Sequence, residues 1–218
     1  MIINIRNTEF HLLYEKAVYL PLQQVLIVAD MHLGKLVHFR RKGIFVPTSN
    51  VNEDIELLKS LINKYIPKEV VFLGDLFHSE INSDYQNLMQ LVEFFPRIRF
   101  ILTKGNHDII PIGFFKANLQ ANYIDVIDEK LLDNGIILRH QLPKLLKEGC
   151  FYVIGHIHPG YLIQGMGRQT FRLPCFHQSR NVLVVPAFGK HTGLFIMDDL
   201  TDADKSYVVM NNKVVRVR

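Results

Sequence analysis

The chain has 218 residues, of which 48% are hydrophobic and 21% are charged, and its formal net charge is +4. A chain of this length can bury a full core, and its composition is typical of globular proteins rather than of disordered ones. No stretch is long and apolar enough to suggest a membrane span, and the first residues lack the layout of a signal peptide. We therefore expect a single domain over residues 1–218, cytoplasmic and without membrane association.

The predicted elements begin with short strands and continue with helices. The first twenty residues alternate loosely between apolar and polar, which predicts two or three strands with a turn at Asn7-Thr8. From Asn50 the apolar residues follow a helical spacing that Pro67 ends. A second helical pattern runs from Asp84 to Phe95, and the segment from Pro111 to Ala121 predicts a third helix.

Apolar runs of three to five residues before, between and after these helices predict buried strands. The runs are Val25–Ala29, Val70–Leu73, Arg99–Leu102, Ile136–Leu138 and Phe151–Ile154. After Tyr123 the chain contains mainly short strands and turns. Strands that alternate with helices, followed by strands in series, predict two facing sheets flanked by helices.

Each of these runs is followed by residues that can bind metals or transfer protons. In chain order the blocks are Asp30-Met31-His32, Gly74-Asp75, Gly105-Asn106-His107-Asp108, His140 and Gly155-His156-Ile157-His158. Open α/β sheets place ligand chemistry just past the ends of their strands. One such short motif matches many chains by chance. Five of them after five strand-like runs indicate one site for two metal ions.

The order of the blocks resembles the calcineurin-like metallophosphoesterase superfamily, whose pattern is D-x-H, G-D, G-N-H-D/E, a lone H and G-H-x-H. Within it, the chain is similar to the bacterial ligase-associated DNA damage response endonuclease family. The residues that carry this second likeness are Asp30–Lys35, Phe39–Gly43, Pro47, Gly74–Ser79, Leu173–Phe176 and Pro186–Gly189. Two positions depart from the pattern, the Gln141 that follows His140 and His177, where an aromatic residue is usual. The resemblance implies a four-layer α/β/β/α sandwich of two mixed sheets flanked by helices.

The resemblance also implies two divalent ions, which clamp and polarise a phosphate when they lie about 3.5–4 Å apart. Asp75 would bridge the two ions. The first ion would also be held by Asp30, His32 and His158, and the second by Asn106, His140 and His156. Oxygen and imidazole ligands without thiolates suit manganese, iron or zinc, of which we expect Mn²⁺. His156 and His158 alternate, and would point apart on an extended strand, so a turn is predicted there.

His107 is predicted to be catalytic and not a ligand. In the family, this histidine sits over the substrate phosphate, where it can stabilise the transition state or protonate the leaving oxygen. Asp108 is expected to orient it. Gly74 and Gly105 are expected to provide a positive φ or a close backbone approach at a strand end.

A basic run follows the first block and predicts contacts with substrate phosphates. The residues for which we predict such contacts are Lys35, Arg40 and Arg41. A charge run is by default a solvated face, and only its position beside the metal block supports a substrate role. We expect the remaining histidines to lie outside the site, although His78 is only three residues past Asp75. These histidines are His11, His38, His78, His177 and His191.

The leading interpretation is a metal-dependent phosphoesterase that acts on DNA, a nuclease serving repair beside a ligase and a helicase. A phosphodiesterase or phosphatase for a small molecule or cyclic nucleotide would use the same chemistry. An interaction protein that has kept the fold and lost turnover is the third alternative. The complete ligand set, together with His107, argues against it.

Overall fold

The computed structural model describes residues 1–36, 43, 53–78, 83–108, 123–165, 167, 169–198 and 200–218. These residues form two β-sheets and two α-helices. The first sheet contains β1 (Ile2–Ile5), β2 (Thr8–Leu12), β3 (Val18–Leu20), β4 (Val25–Val28), β5 (Glu69–Phe72), β6 (Arg99–Thr103) and β7 (Ile124–Ile127). The helices are α1 (Glu53–Tyr65) and α2 (Ser83–Phe94).

The second sheet contains the later strands. They are β8 (Lys130–Leu132), β9 (Ile136–Arg139), β10 (Phe151–Ile154), β11 (Pro159–Gln164), β12 (Thr170–Ser179), β13 (Val182–Val184), β14 (Phe195–Ile196), β15 (Lys205–Met210) and β16 (Lys213–Arg216). A 3₁₀ turn at Asp133–Gly135 joins β8 to β9. Asn211 and Asn212, with φ of 49° and 56°, form the tight turn between β15 and β16.

Both sheets are mixed, and their parallel strands are the ones that lead to the predicted blocks. In the first sheet, β1 to β4 form an antiparallel meander, and β4 to β7 are parallel in the order 4-5-6-7. In the second, β10 lies between β9 and β13 and is parallel to both. β4, β5 and β10 are almost completely buried apolar runs, as expected for parallel strands covered on both faces.

Two large apolar clusters hold the layers together. The first lies between the first sheet and the helices, which contribute Ile55, Leu58, Leu61 and Leu88 among others. The second lies between the two sheets and joins residues such as Ile27 and Val71 to Val153 and Phe176. This burial explains why Leu58, Leu61 and Ile62 recur at helical spacing in the sequence.

The fold class predicted from the sequence, two mixed sheets with flanking helices, is confirmed. Both described α-helices pack on the first sheet. Against the outer face of the second sheet lies the irregular segment 140–150, whose Lys147 amide donates to the Tyr152 hydroxyl at 2.8 Å. The predicted helix from Pro111 to Ala121 lies outside the described residues. Within the described ranges, no helix is long and apolar enough to cross a membrane.

Candidate metal centre

The loops that follow β4 and β5 continue to pair after the strands have ended. The amide of His32 donates to the carbonyl of Asp75, and the amide of Leu33 donates to that of Leu76, both at 2.9 Å. The His78 amide returns to the Leu33 carbonyl at 2.9 Å. Asp30 and Asp75, which follow neighbouring parallel strands, are therefore held side by side at one edge of the first sheet.

Residues from the second sheet reach the same edge. The Nδ1 atom of His140, just after β9, lies 2.9 Å from the carbonyl oxygen of Leu73 at the end of β5. The amide of His156, just after β10, donates to the Asp30 carboxylate at 2.9 and 3.1 Å. The loop after β6 joins them through the His107 amide, which donates to the Asp75 carboxylate, so the ends of five strands meet at one place, as the sequence predicts.

The seven predicted metal ligands occur in these converging loops, and six of them form two groups of potential metal donors. One group consists of Asp30, His32 and His158, and the other of Asp75, His140 and His156. Within each group the donor atoms all lie within 4.8 Å of one another. Among the described His, Cys, Asp and Glu residues, these two groups have donor atoms close enough together to hold a metal ion.

The distances within the groups fit ligands of a common ion. Donors about 2.0–2.2 Å from one ion lie roughly 3–3.5 Å apart. His158 Nε2 is 3.4 Å from both His32 Nε2 and Asp30 Oδ1. His140 Nε2 is 3.0 Å from His156 Nδ1 and 3.5 Å from Asp75 Oδ2. The donor set therefore suits a pair of divalent cations.

Asp75 lies between the two groups. Its Oδ2 atom is 3.5 Å from His140 Nε2 and 3.8 Å from His32 Nε2, so one carboxylate oxygen faces ligands of both groups. Its Oδ1 atom accepts a hydrogen bond from the His107 amide at 2.9 Å. This is the position that a bridging carboxylate requires.

Four of the six donor residues are buried, and burial lowers the pKa of two of the imidazoles, those of His32 and His156. Asp30, Asp75 and His140 are 0%, 3% and 2% exposed. Burial holds the pKa of His32 well below its usual value, and the Asp75 carboxylate opposes this only in part. Burial also lowers the pKa of His156. A neutral imidazole offers a lone pair to a cation, and two buried carboxylates this close together need positive charge for compensation.

Hydrogen bonds to the backbone orient the donor atoms. Because the carbonyl of Leu73 accepts from His140 Nδ1, the Nε2 atom of that ring is left with its lone pair toward the second group. The Asp30 carboxylate is fixed in the same way by the His156 amide. Such partners of ligands fix the tautomer and the ring orientation.

Glycine is required at the strand ends for close approach. Gly74 has a φ of 71°, and a Cβ atom there would overlap the imidazole of His140. A Cβ at Gly105 would overlap the backbone nitrogen and Oδ1 of Asp75. The predicted reasons for these glycines, a positive φ or a close approach, are both found at Gly74, and the close approach at Gly105.

The model of the calcineurin-like phosphoesterase family matches residues 24–185, which include all five blocks. The chain belongs to the calcineurin-like phosphoesterase family. As a calcineurin-like phosphoesterase, it is a metal-dependent hydrolase. No curated protein gives a significant match to the sequence.

One solved structure has the same fold over the whole chain. The nuclease MPE of Pseudomonas putida is 23% identical and superposes with a TM-score of 0.78, over 100% of this chain and 99% of that one. The phosphoesterase Yfce of E. coli is 13% identical, with a TM-score of 0.43 over 88% of this chain and 97% of its own.

In this calcineurin-like phosphoesterase, His107 belongs to neither donor group. Its side chain is exposed at the edge of the site, and its ring centroid is 5.6 Å from that of His32. The hydrogen bond from its amide to Asp75 fixes the backbone at this point. Asn106, the seventh predicted ligand, is exposed between His107 and Gly105.

The structure places His78 beside the site, which differs from its predicted place outside. Its Nδ1 atom is 3.5 Å from His32 Nδ1, and its ring stacks on that of His107 with centroids 5.8 Å apart. The signal in the sequence was its position on the loop that carries Asp75. By contrast, His177 is buried near Ser206 and Asp204 in the second sheet, as expected for a histidine outside the site.

Asp108 is oriented differently from the prediction. Its buried carboxylate accepts hydrogen bonds from the amides of Gly105 (2.8 Å), Leu76 (2.9 Å) and Phe77 (3.3 Å). Burial raises its pKa even though these amides favour the charged form. It therefore ties the loop after β6 to the loop after β5, and the contacts seen are with the backbone rather than with the His107 ring.

The predicted substrate contacts are only partly within the described residues. Lys35 lines a small cavity of about 20 Å³ beside His32, together with Asp54 and Asp84, and burial lowers its pKa. Arg40 and Arg41 lie outside the described residues.

Proposed function

We propose that this protein is a dinuclear metal-dependent phosphodiesterase that cleaves DNA. The observation that carries the proposal is the position of Asp75 between two complete donor groups. Two more imidazoles, those of His78 and His107, lie against the same site and belong to neither group. In our assignment the first ion is held by Asp30, His32 and His158, the second by Asn106, His140 and His156, and Asp75 bridges them.

The side chains outside the donor groups supply the remaining chemistry. When bound, the ions would polarise the phosphate and activate the attacking water. His107 is placed to donate a proton to the leaving oxygen or a hydrogen bond to the phosphate oxygens. Asp108 keeps the loop of His107 against the loop of Asp75 through its three backbone hydrogen bonds.

A nucleic-acid substrate is supported by basic and aromatic residues that follow metal-ligand blocks in the sequence. The strand pair β11–β12 begins directly after His158 and carries the exposed residues Phe171 and Arg172. Arginine can contact phosphates and an exposed aromatic ring can stack on bases. Arg40 and Arg41 follow the first metal block, and the net charge is +4. The fold over the whole chain is that of a protein named as a nuclease.

We further propose Mn²⁺ as the native metal, because a mixed oxygen and imidazole set without thiolates suits it, with iron or zinc as alternatives. Family resemblance supports a role in DNA repair beside a ligase and a helicase.

The proposal is tested with purified protein and Mn²⁺ on four substrates in parallel: single-stranded DNA, duplex DNA, a chromogenic phosphodiester and the matching phosphomonoester. We expect cleavage of DNA and of the diester. The paired variant Arg40→Ala with Arg41→Ala should weaken DNA cleavage and spare the small diester, with the salt slope of DNA affinity reduced by roughly one per lost phosphate contact. Turnover of small esters without any DNA cleavage would instead identify a small-molecule phosphoesterase.

A further inference from the structure

The segment 187–189, which follows β13 of the second sheet, packs against the loop that carries the metal ligands Asp30 and His32. Ala187 bridges to Ala29, the amide of Phe188 donates to the Ala29 carbonyl at 2.7 Å, and the amide of Gly189 lies 3.3 Å from the Asp30 carbonyl. A Cβ at Gly189 would overlap the carbonyl oxygen of Met31. The backbone of this segment therefore touches the ligand loop without space between them.

The ligand loop needs support from both sides because its backbone is strained. Asp30 and His32 have φ of 49° and 47°, in the left-handed region that L-residues avoid. Such conformations persist only where the surroundings over-determine them. The carbonyls of Gly74 and Asp75 hold the loop on one side, and Phe188 and Gly189 hold it on the other.

Lys16 holds the backbone of Phe188 and Gly189 in place. It comes from the turn between β2 and β3, and its ammonium donates to the Phe188 carbonyl at 2.6 Å and lies 3.5 Å from the Gly189 carbonyl. Burial lowers its pKa to about 8, and the nearby Asp54 carboxylate opposes that effect. The Asp54 carboxylate in turn faces the Lys190 amide at 3.2 and 3.3 Å. A half-buried cation on two carbonyls and an anion on the next amide thus hold the segment in place.

We propose that Lys16 is a positioning residue for one of the two metal sites. By holding Phe188 and Gly189, it keeps the Asp30–His32 loop in its left-handed conformation and so maintains the cation affinity of the Asp30, His32 and His158 group. The contacts of this segment with the site are made to the backbone of Ala29, Asp30 and Met31, so the Asp75, His140 and His156 group is affected only indirectly, through that loop. The inference rests on the proposed two-metal site.

The test measures Mn²⁺ affinity of the metal-free full-length protein by calorimetry in two backgrounds. His140→Ala leaves the Asp30 group intact, and His158→Ala leaves the Asp75 group intact. Adding Lys16→Met should lower the affinity about 10- to 100-fold in the first background, as loss of a residue that orients ligands does. It should change affinity less than about threefold in the second. Lys16→Arg, which keeps the cation, should restore most of the affinity.

Lys64→Met is the matched control, because Lys64 faces Glu15, the residue before Lys16, at 3.8 Å, and none of the contacts described for Lys64 reaches the segment. Equal losses in both backgrounds, or no loss in either, would overturn the proposal. If Lys16→Met does not fold, the Mn²⁺ affinity of Lys16→Gln is measured in both backgrounds and judged by the same criteria. A wild-type protein that binds no Mn²⁺ would refute the proposed function, whereas a two-site wild type without the selective loss would refute only the role of Lys16.

Discussion

Five of the proposed ligands have a backbone conformation that is unusual for any residue other than glycine. Their φ values lie between 45° and 67°, for Asp30, His32, Asp75, His156 and His158. Each such residue costs of order 1–3 kcal/mol. The conformation turns the chain off the strand end and lets successive side chains converge. For His156 and His158 it supplies the predicted turn, without which the two rings would face opposite sides.

Asp75→Asn tests the residue that links the two donor groups. A neutral amide compensates two adjacent cations poorly, so bound metal and turnover should fall together. Metal content per chain after desalting, measured by elemental analysis beside the hydrolysis rate of the chromogenic diester, gives the answer. Two ions per chain with an unchanged rate would show that Asp75 does not bridge.

His107→Ala separates proton donation from metal binding. The variant should keep both ions and lose about 10²–10⁴-fold in rate, because His107 lies outside both donor groups. His140→Ala should instead lose metal from the second group first. Comparison of diesters with good and poor leaving groups then identifies the role. A smaller loss with the good leaving group indicates proton donation, and equal losses indicate stabilisation of the phosphate oxygens. A metal-free His107→Ala protein would make this residue a ligand.

At the scale of elements, the sequence was most informative where a strand carries a ligand block on its end. The runs before Asp30, Asp75 and His140 are strands, and the helical spacing from Asn50 appears as α1. These features are local, because the spacing of apolar residues that are close in sequence indicates a strand or a helix face. The prediction of a single domain stays a prediction.

Contacts between distant residues could not be predicted in this way. Lys16 is 172 residues from Phe188 in the sequence, and nothing near either residue indicates their hydrogen bond. The Asp108 carboxylate was assigned to the adjacent His107, whereas its partners Leu76 and Phe77 are 32 and 31 residues away. The position of His78 beside the site is unexpected for a related reason, because the sequence of a loop does not indicate where one of its side chains points. Only the packing of loops from different strands determines these contacts.

Gly74→Ala tests how tightly the strand ends are packed. The added methyl group would overlap the His140 ring, so the variant should lose affinity at the Asp75, His140 and His156 group and lose stability as well. Gly149→Ala is the matched control, because Gly149 has nearly the same φ, 70° against 71°, with nothing within 4 Å of the added atom. The control should cost about 1–2 kcal/mol for the backbone alone and leave metal binding intact. Both effects are measured by urea unfolding and Mn²⁺ titration. If the two substitutions have equal effects, position 74 requires glycine because of its φ and not because of its packing against His140.

At the scale of the whole molecule, the proposed metal centre joins the two sheets. In the first donor group, Asp30 and His32 follow β4 of the first sheet, whereas His158 follows β10 of the second. In the other group, Asp75 follows β5, and His140 and His156 follow strands of the second sheet. Each ion would thus be held by residues of both sheets. Bound cations would also compensate the charges of Asp30 and Asp75, two buried carboxylates that lie close together.

Metal binding should therefore stabilise the fold as a unit. A ligand at 100 times its Kd that binds only the folded state adds about 2.7 kcal/mol per site, so the melting temperature should rise on addition of Mn²⁺ and fall with a chelator. The double variant Asp30→Asn with Asp75→Asn is the control. It relieves carboxylate repulsion, so its metal-free form should melt at or above the temperature of the metal-free wild type, with little response to Mn²⁺. A wild-type melting temperature that does not depend on Mn²⁺, at concentrations where calorimetry shows binding, would mean that the ions do not link the sheets. A double variant that responds as strongly as the wild type would place the stabilising ions elsewhere.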